Sequence, residues 1–134
     1  MSARASTFML VLGCNIAVAS FAQNSAWFEV RGGDWHPSPE VTLRLQTELE
    51  PAIAKLAGNK FERFRPWHEY KFQFQGRRKD SQQYVFISAL CNAYEMRDLT
   101  EKFVVVFDGG SCFYEVKYDP KSQRFYDLLV HGEA

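Results

Sequence analysis

The hydrophobic pattern changes period along the chain. Residues Phe8 to Ala22 form an uncharged, mostly apolar run; Val41, Leu45, Leu49, Ile53 and Leu56 recur at helical spacing; from Trp67 onward apolar and polar residues alternate. The middle segment predicts one amphipathic helix. Its start is written in Ser38-Pro39-Glu40: a hydroxyl to cap a free amide, a proline where no amide hydrogen bond is needed, and an acid at the positive end of the helix dipole. Gly58-Asn59 supplies the stop. Pro51 stands inside the pattern, where it removes a hydrogen bond and crowds the preceding turn. A kink near Glu50, or a restart there as a second short helix, is expected.

Before the helix, Trp27 to Val30 reads as a short strand and Gly32-Gly33 as a turn. After it, His68, Tyr70, Phe72 and Phe74 alternate with Glu69, Lys71, Gln73 and Gln75, which predicts a strand with one buried and one wet face. The polar knot Gly76 to Ser81 reads as a hairpin loop. Gln83 to Asn92 is the return strand, with Val85, Ile87, Ala89 and Cys91 on one side. Lys102 to Phe107, Cys112 to Tyr118 and Arg124 to Val130 bring the count after the helix to about five strands. The expected fold class is α+β, one kinked N-terminal helix packed on an antiparallel sheet that curves around it. This is the element order of the cystatin-like architecture, a likeness of order that implies no cystatin activity.

The N-terminal run has the form of a secretory signal peptide: one cation, Arg4, then 15 uncharged residues ending in small side chains. It is shorter than the ~20 apolar residues that span a bilayer. Ser20-Phe21-Ala22 before Gln23 is the favoured cleavage frame, and Ala17-Val18-Ala19 is the other. Lipidation at Cys14, preceded by Gly13, is the alternative fate of the segment. The expected organisation is a signal peptide over 1–22 and a single domain over 23–134, located in the periplasm or secreted, with no transmembrane span in the mature form. The chain carries 16 basic and 16 acidic side chains. Net charge therefore does not steer it toward nucleic acid or an anionic membrane.

Of the three cysteines, Cys14 falls in the signal segment, which leaves Cys91 and Cys112. Two cysteines in an oxidising compartment predict one disulfide. A plain meander would hold them at opposite ends of the sheet, whereas a disulfide needs Cα atoms within about 7 Å. Two arrangements satisfy that limit. In one, Ala89 pairs with Tyr114, Ile87 with Val116 and Val85 with Tyr118, and residues 92–111 form an excursion containing a strand. In the other, residues 92–102 cross back before Phe103.

The segments DGGSCFYEVKYD, Asp108 to Asp119, and FYDLLVHGEA, Phe125 to Ala134, resemble the ending of a group of uncharacterised small exported bacterial proteins. The likeness reaches back to the ALCNA segment around Cys91. It implies export, the cysteine pair and a single domain, and it brings no substrate, cofactor or catalytic residue. His131 stands where that ending is expected to carry asparagine, which argues against an essential role for it.

Catalysis by a Cys91 or Cys112 thiol would require His36, His68 or His131 alongside and an acid to orient it. No such signature surrounds either cysteine, and an oxidised pair is inert. The three histidines with Asp34 or Glu133 show no ligand spacing, so no metal and no cofactor is expected. Asp108-Gly109-Gly110 is too short for a calcium or phosphate site and reads as a turn. Lys60 to Lys79 interleaves basic and aromatic residues, the composition of nucleic-acid binders. Strand alternation alone produces the same pattern, and no nucleic acid is expected in the compartment. What remains is a positive patch at Arg77, Arg78 and Lys79, with Trp67 as a further partner contact. The sequence thus points to an exported binding or accessory protein of the cell envelope without catalytic residues, an inhibitor being one form of it. Its partner would be an unknown macromolecule, an acidic protein or a polysaccharide. A small envelope enzyme using polar residues of the sheet is the alternative.

Overall fold

The computed structural model describes residues 26–91, 98–105 and 109–132. The expected signal segment 1–22 and Cys14, as well as Asn92, Phe107, Asp108 and Glu133, lie outside them. The elements in chain order are β1 (Trp27–Glu29), α1 (Pro39–Ala57), β2 (Tyr70–Lys79), β3 (Gln82–Cys91), β4 (Phe113–Asp119) and β5 (Arg124–Val130). Short 3-10 turns occupy Gly58–Arg63, Trp67–Glu69 and Gly110–Cys112. The fold class is α+β, as the pattern predicts.

Helix α1 begins and ends where its signals place it. Ser38 is extended and its Oγ accepts from the Val41 amide at 3.2 Å, while Gly58, at φ 55°, closes the other end. Leu45, Leu49 and Ile53 are completely buried. The helix runs through Pro51 without a restart. Pro51 is exposed, so the carbonyl it leaves without a donor lies on the solvent side, where water can serve it. Leu56 departs from the expected stripe and is 44% exposed.

The sheet order is β1-β2-β3-β4-β5. From β2 to β5 it is an antiparallel meander, but β1 pairs with β2 in parallel, Trp27 opposite Phe72. The sheet is therefore mixed rather than antiparallel throughout. The physical reason is the 19-residue helix between β1 and β2, which carries the chain back to the end where it started. Between β4 and β5 the register shifts: Lys117 faces Tyr126 and Glu115 faces Leu129. Asp127 and Leu128 together oppose Val116, a bulge in which Asp127 takes φ 53°.

Four further expectations are corrected. The β2–β3 ladder continues to Lys79 opposite Gln82, so the loop shrinks to Asp80-Ser81, both at positive φ as a two-residue hairpin turn requires. Gly76 lies inside the strand opposite Val85, and glycine is required there because a Cβ would collide with the backbone of Trp35, which bridges to it. At the other end, Trp67–Glu69 is a 3-10 turn and the strand begins only at Tyr70. The run Lys102 to Phe107 is not a strand over its described residues, 102–105. Both ladders of β3 are occupied, by β2 and β4, so that run has no partner there and instead lies over the sheet. Gln73, expected to be wet, is fully buried beneath it. Its Nε2 donates to the Leu99 and Lys102 carbonyls at 2.8 and 2.9 Å, and its Oε1 accepts from the Val104 amide at 2.9 Å.

The core lies between α1 and the opposite sheet face, where Tyr70, Phe72, Val85, Ile87, Tyr114, Val116 and Tyr118 are at most 1% exposed. The β3–β4 register is Ala89 with Tyr114, Ile87 with Val116 and Val85 with Tyr118. This is the first of the two arrangements, without a strand in the described part of the excursion. Cys91 and Cys112 are disulfide-bonded with Cα atoms 5.0 Å apart.

Candidate partner-binding end

A meander brings alternate turns to the same side, so the β2–β3 and β4–β5 hairpins meet at one end of the sheet. Both tips line a common shallow groove through Arg78, Asp80, Gln82, Asp119 and Lys121. The second tip is held by its own first residue. The Asp119 carboxylate accepts from the Ser122 hydroxyl at 2.8 Å and from the Lys121 amide at 2.9 Å, while the Gln123 amide donates to its carbonyl at 2.8 Å. Those bonds, the Ser122 hydroxyl first, keep the Asp119 carboxyl below its ordinary range. The first tip is braced from the side, since Asp34 Oδ2 accepts from the Arg78 amide at 2.9 Å. Helix α1 joins the same end, Arg44 Nη1 donating to Gln123 Oε1 at 2.8 Å.

Arg78, Lys79, Lys121 and Arg124 are exposed at this end. Among the described residues, none of their side chains makes an ion pair or a hydrogen bond. Of the acids nearby, Asp119 is committed to its turn and Asp80 occupies the other turn. A hydrogen-bonded carboxylate keeps its charge, so these exposed cations stand beside the charged Asp34, Asp80 and Asp119, and Lys121 acts electrostatically on Asp119.

Only part of the contact set expected from sequence is brought together. Arg78 and Lys79 stand at the tip. Arg77 does not, because strand alternation turns it to the covered face, where its guanidinium lies 4.1 Å from the centre of the Phe86 ring and 5.1 Å from that of Phe103. Its Nε also donates to Gln75 Oε1 at 3.0 Å. Trp67 sits beyond the opposite end of β2, packed on Phe72 with ring centres 5.1 Å apart. Lys121 and Arg124 are absent from that set. The signal for them was available: Asp119-Pro120-Lys121-Ser122 has turn composition, and two successive hairpins of a meander share an end.

The other candidates disperse. His36 Nδ1 lies 3.0 Å from Glu29 Oε1, and His131 Nε2 lies 3.2 Å from Glu115 Oε1, on separate elements. His68 is exposed in the 3-10 turn before β2. Among the described residues no three His, Cys, Asp or Glu side chains are grouped to hold a metal ion. Of the basic and aromatic segment Lys60 to Lys79, Tyr70, Phe72 and Phe74 are buried, as strand alternation requires. No helix among the described residues is long and apolar enough to cross a membrane. Compared with known protein families, with curated proteins and with solved structures, the chain has no match.

Proposed function

We propose that this protein is an exported, non-enzymatic binding or accessory protein of the cell envelope that engages an anionic macromolecule through its two-hairpin end. The observation that carries this reading is that Arg78 and Lys121 line one groove between the two hairpin tips, with Lys79 and Arg124 at the adjoining strand ends, all four exposed and without an ion pair among the described residues. Oppositely charged surfaces attract at long range and fix orientation on contact, and the attraction is screened by salt. Export is supported by the uncharged N-terminal run and by a disulfide, a bond that persists in oxidising compartments. The partner is an acidic protein or an acidic polysaccharide, and inhibition of that partner is one consequence binding would have.

Affinity capture from envelope extract tests the reading. The exported protein should retain a stoichiometric acidic partner that is released by salt and lost in the Arg78→Glu/Lys121→Glu variant, and protease or glycosidase treatment of the extract identifies its class. Equal capture by the variant, or no specific partner, overturns it. Intact mass tests export separately: a chain beginning at Gln23 or Ser20 is expected. One beginning at Met1 would refute it, and a diacylglyceryl group on Cys14 would replace cleavage with lipoprotein processing.

A further inference from the structure

The segment 98–105 covers one half of the sheet face that turns away from α1. Among the described residues, its hydrogen bonds and ring contacts outside itself go to β2, to β3 and to Arg31. The half over β4 and β5 is left open, and Leu129 there is 58% exposed. On this open half Tyr126 stands opposite Lys117, and Tyr84 stands one strand beyond Lys117 and two residues nearer the tips. Strand spacing and rise put the two tyrosines about 12 Å apart at their Cα atoms. Both are partly exposed. Lys117 reaches between them, its Nζ 5.7 Å from the centre of the Tyr84 ring and 3.3 Å from Asp127 Oδ2. In an even ladder Asp127, next to Tyr126, would point at the core, and the bulge turns its carboxylate to this face instead.

Cations and acids are matched here. Lys117 meets Asp127, His131 meets Glu115 at 3.2 Å, and Arg124 stands opposite Asp119. A polyanion would set its charge against three carboxylates. A purely apolar chain would take water from paired charges without replacing its hydrogen bonds. What the face complements is a neutral ligand whose hydroxyls both donate and accept, answering an ammonium and a carboxylate side by side. Its C–H groups would meet the negative faces of the two phenol rings. A hexopyranose has both properties, hydroxyls around its rim and C–H groups on its faces. Two rings set apart on different strands call for more than one such sugar.

We infer that the open face of β3, β4 and β5 binds a neutral oligosaccharide of hexopyranose units. Tyr84 and Tyr126 each carry one sugar ring, and Lys117 and Asp127 hydrogen-bond the hydroxyls between them. This site is separate from the two-hairpin end and stands independently of what that end binds.

Amide shifts of the full exported protein, titrated with cellopentaose, maltopentaose and glucose, test it. At least one pentasaccharide should give saturable shifts centred on Tyr84, Lys117 and Tyr126, with an affinity unchanged by added salt. Glucose, which reaches only one ring, should bind more than tenfold more weakly. Tyr84→Ala and Tyr126→Ala should each weaken the pentasaccharide about tenfold, the factor that one ring contact supplies. Thermal unfolding verifies that these variants keep their fold, and Lys117→Met, which leaves both rings in place, should also weaken binding. Arg78→Glu/Lys121→Glu should change nothing. Absence of saturable shifts with both pentasaccharides, shifts centred elsewhere, tighter binding of a uronic acid pentamer, or parental affinity in all three face variants would each overturn the inference.

Discussion

Gln73 shows how one side chain can decide where a segment lies. It is completely buried on a strand whose alternation marks it as wet, and its amide satisfies two carbonyls and one amide of the segment crossing above it. Buried amides carry their full desolvation cost when such partners are lost. Gln73→Leu should therefore lower stability by about 3 kcal/mol, at roughly 1 kcal/mol per hydrogen bond. Urea unfolding measures the loss, and amide exchange at Val104 should accelerate by more than at Ile87, in the core ladder. Tyr114 presents the opposite case. Its hydroxyl is buried and has no hydrogen-bond partner among the described residues, so Tyr114→Phe removes a cost and should raise stability by about 1 kcal/mol, read from the same urea midpoint. Neither role was legible in the sequence. Alternation reports which face a residue is on, and says nothing about a loop that later covers that face.

At the scale of elements, the disulfide and the β3–β4 register explain each other. Apolar parity on both strands and the reach of a disulfide narrowed the sequence to two arrangements, and the pairing of Ala89 with Tyr114 and Ile87 with Val116 is one of them. Lys102 to Phe107 has the composition of a strand, but composition does not reveal whether a ladder is vacant. The same limit explains why β1 was legible as a strand and its parallel partner was not. The cross-link closes a separation of 21 residues, and the chain-entropy account gives it about 3 kcal/mol. Cys91→Ser/Cys112→Ser should lose roughly that amount in denaturant unfolding. The binding proposed for the hairpin tips should be unchanged, since Cys91 lies at the other end of β3. Loss of partner capture by the folded variant would show that the two ends are coupled. The cap at Ser38, read correctly from Ser38-Pro39-Glu40, predicts a smaller effect, about 1 kcal/mol for Ser38→Ala.

For the whole molecule, the core between helix and sheet is rich in phenols, and this sets its response to alkali. Burial raises the Tyr70, Tyr114 and Tyr118 hydroxyls above their ordinary 10.0, Tyr114 furthest, with Tyr70 and Glu50 adding to the effect at Tyr114. A group whose folded-state pKa is raised gives up its proton first in the unfolded chain. The stability it supports is intact below about pH 10 and falls as pH rises beyond that value. Urea midpoints measured at increasing alkaline pH should decline accordingly, and the phenolate absorbance of the buried tyrosines should appear together with unfolding. A native protein whose phenols all titrate freely near pH 10 would contradict this.

The bulge at Asp127 has a consequence for the protein in company. Strand β5 is the last in the sheet, and a flat outer strand of seven residues would offer its unpaired amides and carbonyls to any other chain. The bulge divides that row into two short pieces, and the Asp127 carboxylate, 3.3 Å from Lys117 Nζ, places charge beside the break. Asp127 thus works as a stop against polymer growth. Deleting it would restore an even register with β4 and present a continuous template. Sedimentation of the deletion variant should then show concentration-dependent chains of molecules where the parent protein shows none, and equal behaviour of the two would assign the bulge a purely local role.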